Sequence, residues 1–92
     1  MQSNSAETLA LLALAWLSGN DDLLPVFLGA TGASLEDMKT RAEDAEFLGS
    51  VLDFIMMDDA WVMAFCESQE LRYEEPMAAR QALPGGALPN WT

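Results

Sequence analysis

Apolar residues recur along this chain at spacings of three and four, interrupted by short polar stretches rich in Asn, Asp, Ser, Gly and Pro. That spacing is the signature of helices, which bring buried side chains to one face every ~3.6 residues. The first block, Leu9 to Leu17, reads LALLALAWL. Leu9, Leu12, Ala13 and Trp16 fall at i, i+3, i+4 and i+7, and Leu11, Leu14 and Leu17 cover much of the remainder. A helix apolar nearly all round is expected at the centre of a fold. Asn4 and Glu7 have capping-box spacing ahead of it, and Ser18-Gly19 ends it.

Asn20-Asp21-Asp22 opens a second, short helix near Asp21, because Pro25 is tolerated only in or close to a first turn. Val26, Phe27 and Leu28 supply its apolar side and Gly29 its end. After a turn at Thr31-Gly32, Ser34 and Asp37 predict another capping box and a third helix through about Ala42. On that helix Asp37 and Arg41 have the spacing of an i, i+4 ion pair, worth ~0.3 kcal/mol. Asp44 caps a fourth helix with apolar Phe47, Leu48, Val51, Leu52, Phe54 and Ile55. Met56-Met57 closes it. Asp58-Asp59 starts a fifth, carrying Trp61, Val62, Phe65 and Cys66 to about Leu71. Glu74-Glu75-Pro76 begins a sixth, which runs to Leu83 and stops at Pro84-Gly85-Gly86.

No stretch alternates with a period of two between hairpin turns, so no sheet is expected. No repeat or low-complexity segment is visible. The pattern predicts an all-α fold: a compact orthogonal bundle of five to six short helices, one domain over residues 1–86, with a C-terminal tail over 87–92. The tail is loose unless Leu88 or Trp91 docks.

Composition narrows the function classes. Fifteen acidic side chains stand against four basic ones with no histidine, a net charge of −11, yet 51% of residues are hydrophobic. Such a chain has enough apolar surface for a packed core. The charge argues against a nucleic-acid backbone or an anionic membrane as partner. Without histidine there is no Ser-His or Cys-His pair and no imidazole metal ligand, and the single Cys66 excludes an internal disulfide or a Cys-based zinc cluster. The nine apolar residues from Leu9 fall short of a bilayer span. They have the length of a signal-peptide core, but MQSNSAET ahead of them carries Glu7 and no Lys or Arg. A buried helix in a cytoplasmic protein is the expected reading.

Candidate chemistry is weighed position by position. Asp21-Asp22, Glu36-Asp37, Asp58-Asp59 and Glu74-Glu75 resemble carboxylate pairs, but adjacent helix residues point about 100° apart and do not converge on one ion. Together with Glu7, Asp44 and Glu46 they make eleven of the fifteen acids that fall in or just before an expected first turn. There they stabilise the helix dipole. No metal or cofactor is expected. Gly29-Ala30-Thr31-Gly32 matches the bare G-x-x-G of a nucleic-acid-clamping loop, and the same segment loosely resembles a helix-turn-helix. Its second helix is net acidic, which argues against that use. No phosphate-binding loop is present, and Asn90-Trp91-Thr92 matches a glycosylation sequon by chance.

Cys66 lies on the Val62, Phe65 side of the fifth helix and reads as a buried, inert thiol. Asp53, in mid-helix away from any cap, is the one acid placed to serve a pocket, although a solvent-facing position is the simpler reading. Met56, Met57, Trp61, Met63 and Phe65 crowd ten residues, with Met57, Trp61 and Phe65 at i, i+4, i+8. Such a stripe usually faces inward. Exposed instead, it is an adaptable patch for a partner helix or for self-association.

The order of these features resembles a known family: an apolar first helix, Phe27-Leu28 before Thr31-Gly32, Phe47-Leu48 with Val51-Leu52-Asp53-Phe54, Asp59 ahead of Phe65, then Leu83-Pro84-Gly85. It is a small family of bacterial proteins known as a domain of unknown function, 3572 in that series. The resemblance covers Leu9 to Gly86 and implies a small all-helical cytoplasmic protein; it implies no activity, ligand or catalytic residue. The expected function is a non-enzymatic protein–protein interaction module, acting on an unknown partner or as a homodimer. Its candidate interface is Met56, Met57, Trp61, Met63 and Trp91. The alternative is a small-molecule or metal-binding domain with an inter-helix pocket.

Overall fold

The computed structural model describes residues 2–83. Trp91 and the rest of the expected tail lie outside the described residues, so the docking of Leu88 or Trp91 is outside them too. Six helices and no strand occupy the described span: α1 Ser3–Ser18, α2 Leu24–Thr31, α3 Leu35–Thr40, α4 Ala45–Ile55, α5 Asp59–Gln69 and α6 Glu75–Ala82. The all-α expectation holds. Both α4 and α6 pack along α1, and α2 and α5 close the remaining sides.

Helix α1 is central but not buried on every side. Its buried stripe is Ala6, Leu9, Ala10, Ala13, Leu14 and Leu17, whereas Leu11 and Leu12 are 42% and 39% exposed. The expected face through Leu12 is therefore rotated. Three alanines in the stripe let neighbouring backbones approach closely, and fit rather than side-chain size selects the contact face. The capping box at Asn4 and Glu7 does not form. The helix starts earlier, with Gln2 at its N-cap, and the Asn4 carboxamide oxygen accepts only from the neighbouring Ser5 N–H at 2.9 Å.

Between α1 and α2 the Asn20 side chain accepts from the N–H groups of both Asp22 and Leu23, at 3.1 Å each. This local turn holds Asp21 and Asp22 outside the helix, so α2 starts at Leu24 rather than Asp21. Nor does Gly29 stop it. The helix continues to Thr31 and ends at Gly32, whose φ of 73° is left-handed and closed by its N–H to the Leu28 carbonyl.

The capping box at Ser34 is present in both directions. Asp37 N–H donates to Ser34 Oγ (3.1 Å), and Ser34 N–H donates to Asp37 Oδ2 (3.0 Å). That use of the Asp37 carboxylate replaces the expected Asp37–Arg41 pair. Arg41 turns instead to Asp44, with Nη2 at 3.1 Å, and its guanidinium lies over the Phe47 ring at 4.9 Å. Asp44 also caps α4 by accepting from Glu46 N–H. The Arg41 hydrogen bond, with the Glu46 N–H, holds the Asp44 carboxyl below its ordinary value.

On α4 every expected apolar position is buried, from Phe47 through Ile55. Phe27 fills the centre, edge-on to Phe47 and Phe54 at 6.2 and 5.3 Å between ring centroids. Of the eleven acids expected at helix starts, eight are there: Glu36, Asp37, Asp44, Glu46, Asp58, Asp59, Glu74 and Glu75. Glu7, Asp21 and Asp22 are not, because α1 and α2 begin elsewhere.

Candidate functional site

The end of α4, one side of α5 and the start of α6 build one surface. Met56 ends α4 in a tight turn, and Asp58 restarts the chain as the α5 N-cap by accepting from Ala60 N–H at 2.8 Å. Helix α5 ends at Glu70, whose left-handed φ of 56° reverses the chain. Arg72 N–H then donates to Glu75 Oε2 at 2.6 Å, setting Pro76 in the first turn of α6. The result is a shallow hollow of about 140 Å³ lined by Met56, Asp59, Val62, Tyr73, Pro76 and Met77.

Large apolar side chains on these elements stay in solvent. Met57 is 72% exposed, Met77 58%, Tyr73 49% and Met63 44%, while Met56 is half-buried. The same stretch of chain carries six acids, Asp58, Asp59, Glu67, Glu70, Glu74 and Glu75, of which Asp59 lines the hollow, and Arg72 is the only cation between Met56 and Met77. Arg72 is committed to Glu74 at 3.5 Å. The Tyr73 hydroxyl donates to Glu67 Oε2 at 2.7 Å, and this bond to a carboxylate pushes its pKa up, keeping the phenol protonated.

The methionine–aromatic stripe divides here. Phe65 is fully buried against Trp16 at 5.7 Å. Trp61 is half-buried and stacks on Phe54 at 4.8 Å. Met57 sits in the turn before the helix and faces water. Trp61 thus braces the surface from beneath, and Met57 and Met63 present it. Sequence reasoning did not single out Tyr73 and Met77. Their i, i+4 spacing across Pro76 was the available signal.

The remaining candidates are placed by their partners. Asp53 is exposed and accepts from Arg80 Nε at 2.6 Å, bridging α4 to α6, so it does not line an inter-helix pocket. No local spacing reveals that pair. Cys66 is buried, its S–H donating to the Arg72 carbonyl at 3.5 Å. Burial, then Glu75, Glu74 and Glu67, raises its thiol pKa. A thiolate is the reactive form. Native protein is therefore expected to resist iodoacetamide at neutral pH and react fully once unfolded. Labelling at the rate of a free small thiol would contradict this. Gly29 lies inside α2, so G-x-x-G is not a loop. Among the described residues no group of three acidic or Cys side chains is placed to hold a metal, and no helix is long and apolar enough to cross a membrane.

Residues 3–86 match the family described as Protein of unknown function (DUF3572). The chain belongs to this family. No curated protein and no solved structure matches it. The DUF3572 match spans all six helices, so the Met/Tyr surface and its acid-rich stretch of chain are both built within the family domain.

Proposed function

We propose that the chain is a non-enzymatic module that binds a basic amphipathic helix of a partner protein across the α5–α6 face. The observation that supports this is exposed Met57, Met63, Tyr73 and Met77 on a stretch of chain that carries six acids and one cation. Methionine side chains re-pack around differently shaped apolar residues. The carboxylates speed the approach of a basic partner and set its register. A second copy of this chain brings the same acids, and like charges repel, which favours a different protein as partner over a homodimer. The same field favours neither nucleic acid nor an anionic membrane. A free, buried thiol suits a reducing compartment, and we place the module in the cytoplasm.

The test is a titration with a synthetic Leu/Lys amphipathic helix and a Leu/Glu counterpart of equal length. The Leu/Lys peptide is expected to bind and to lose affinity with added salt. A Met57→Ser/Met77→Ser double variant, altered only at exposed side chains, should weaken binding about tenfold or more, as truncated interface anchors do. Equal affinity in wild type and double variant, or equal binding of the Leu/Glu peptide, would overturn the proposal.

A further inference from the structure

A second hollow, roughly three times larger at about 450 Å³, opens between α1 and α3. Leu11, Leu14 and Ala15 form its α1 wall, and Leu35 and Met38 form its α3 wall. Ser18 stands at the far end of the α1 wall, but its hydroxyl donates to the Leu14 and Ala15 carbonyls at 3.0 Å each and offers little free polarity. Leu11 is 42% exposed and Leu35 57%. Two leucines therefore face each other across an open, apolar trough. Its volume falls in the range of small-molecule sites, ~300–1,000 Å³.

The polar rim is a single cation. Lys39 lines the trough and makes no hydrogen bond or ion pair among the described residues. In this chain that is unusual, because fifteen acids outnumber four bases and each of the three arginines holds a carboxylate. Glu36 lies three residues before Lys39 on α3, a position from which an acid meets a lysine on a helix. The ammonium does not pair with it. It is left available at the mouth of an apolar slot.

This combination differs from the α5–α6 surface, where methionines lie on an acid-rich stretch of chain. A basic helix would meet Lys39 as a like charge. An apolar chain with one anionic end satisfies both features, since its methylenes cover the leucines and its carboxylate meets the lysine. We infer that the α1–α3 trough binds a free single-chain fatty acid, with the alkyl chain along Leu11, Leu14, Ala15, Leu35 and Met38 and the carboxylate on the Lys39 ammonium. The site is separate from the partner surface and stands or falls on its own.

Dodecanoate below its micelle concentration, added to protein carrying ¹³C-methyl methionine, tests this. Met38 is the methionine in the trough; Met57 and Met77 report the other face. The expected result is a saturable one-to-one shift of the Met38 methyl with Met57 and Met77 unmoved. Lys39→Glu should weaken binding about tenfold, the effect of setting a like charge against the carboxylate, whereas Lys39→Arg should retain it. Dodecyltrimethylammonium, with the same chain and the opposite charge, should bind at least as weakly as dodecanoate does to the Lys39→Glu variant. Lys39 is exposed, and circular dichroism checks that both variants keep their helices. An unmoved Met38, equal affinity in Lys39→Glu, or equal binding of the cationic amphiphile would overturn the inference. So would an acidic amphipathic peptide that shifts Met38 at lower concentration than dodecanoate, which would make the trough a protein-binding groove.

Discussion

Phe27→Ala is expected to lower stability by ~3–5 kcal/mol, the cost of removing a buried aromatic ring whose surroundings collapse only partly. Phe27 is fully buried, and its ring joins α2 to α4 through edge contacts with Phe47 and Phe54. Through Phe54 the same aromatic chain reaches Trp61, 4.8 Å away beneath the proposed partner surface. A domain of this size holds only ~5–15 kcal/mol in total. The melting temperature should fall by about 15 °C or more, measured by circular dichroism. Near-ultraviolet bands from Trp61 should broaden with it. A shift below about 5 °C would show that α2 contributes little to the core.

The second large effect is expected at Arg80. Its side chain is 15% exposed, its Nε donates to Asp53 at 2.6 Å, and its guanidinium lies over Gly49. A Cβ added at Gly49 would stand 2.8 Å from Arg80 Nη1, so the glycine gives the arginine its bed. Arg80→Met keeps the apolar stem but removes the charge-assisted bond, and should cost ~1–2 kcal/mol because Asp53 is half in water. A double-mutant cycle with Asp53→Ala should find positive coupling, and the same cycle in a Gly49→Ala background should find less. Gly49→Ala has an opposing gain of ~1 kcal/mol in helix propensity. Its net stability change is therefore small even though the clasp is displaced. Unchanged coupling in that background would mean the guanidinium finds an equal seat elsewhere.

Much of this fold is legible in the sequence, for reasons that differ from helix to helix. Helices α4, α5 and α6 each begin at an acid that caps or precedes the first turn, and α4 repeats its apolar residues at an undisturbed three-four spacing. Both signals are local, so both survive into the structure. The facing of α1 is different. Leucine and alanine alternate so densely there that periodicity does not choose a side, and the choice falls to the helices packed on it. Competition between equally local signals explains the rest. Gly29 and Gly32 both offered an end to α2, and Asp37 had two partners to choose between, Ser34 and Arg41. The Asp53–Arg80 clasp spans 27 residues and leaves no trace in local spacing.

The candidate surface was half legible. Met56, Met57 and Met63 were visible as a cluster, but burial assigned Trp61 and Phe65 to the core and left the methionines outside. Tyr73 and Met77 joined them only through the reversal at Glu70. Charge changed meaning in the same way. The acids at helix starts have a structural role, yet Asp58, Asp59, Glu74 and Glu75 also flank the methionines along the chain. One carboxylate serves both.

The central proposal is that this surface receives a basic amphipathic helix. Its most direct test is the ¹³C-methyl methionine spectrum during titration with the Leu/Lys peptide at low and high salt. The account predicts saturable shifts at Met56, Met57, Met63 and Met77 with Met38 unmoved, and a several-fold loss of affinity as salt rises. Shifts confined to Met38, or no methionine shift at saturating peptide, would contradict it.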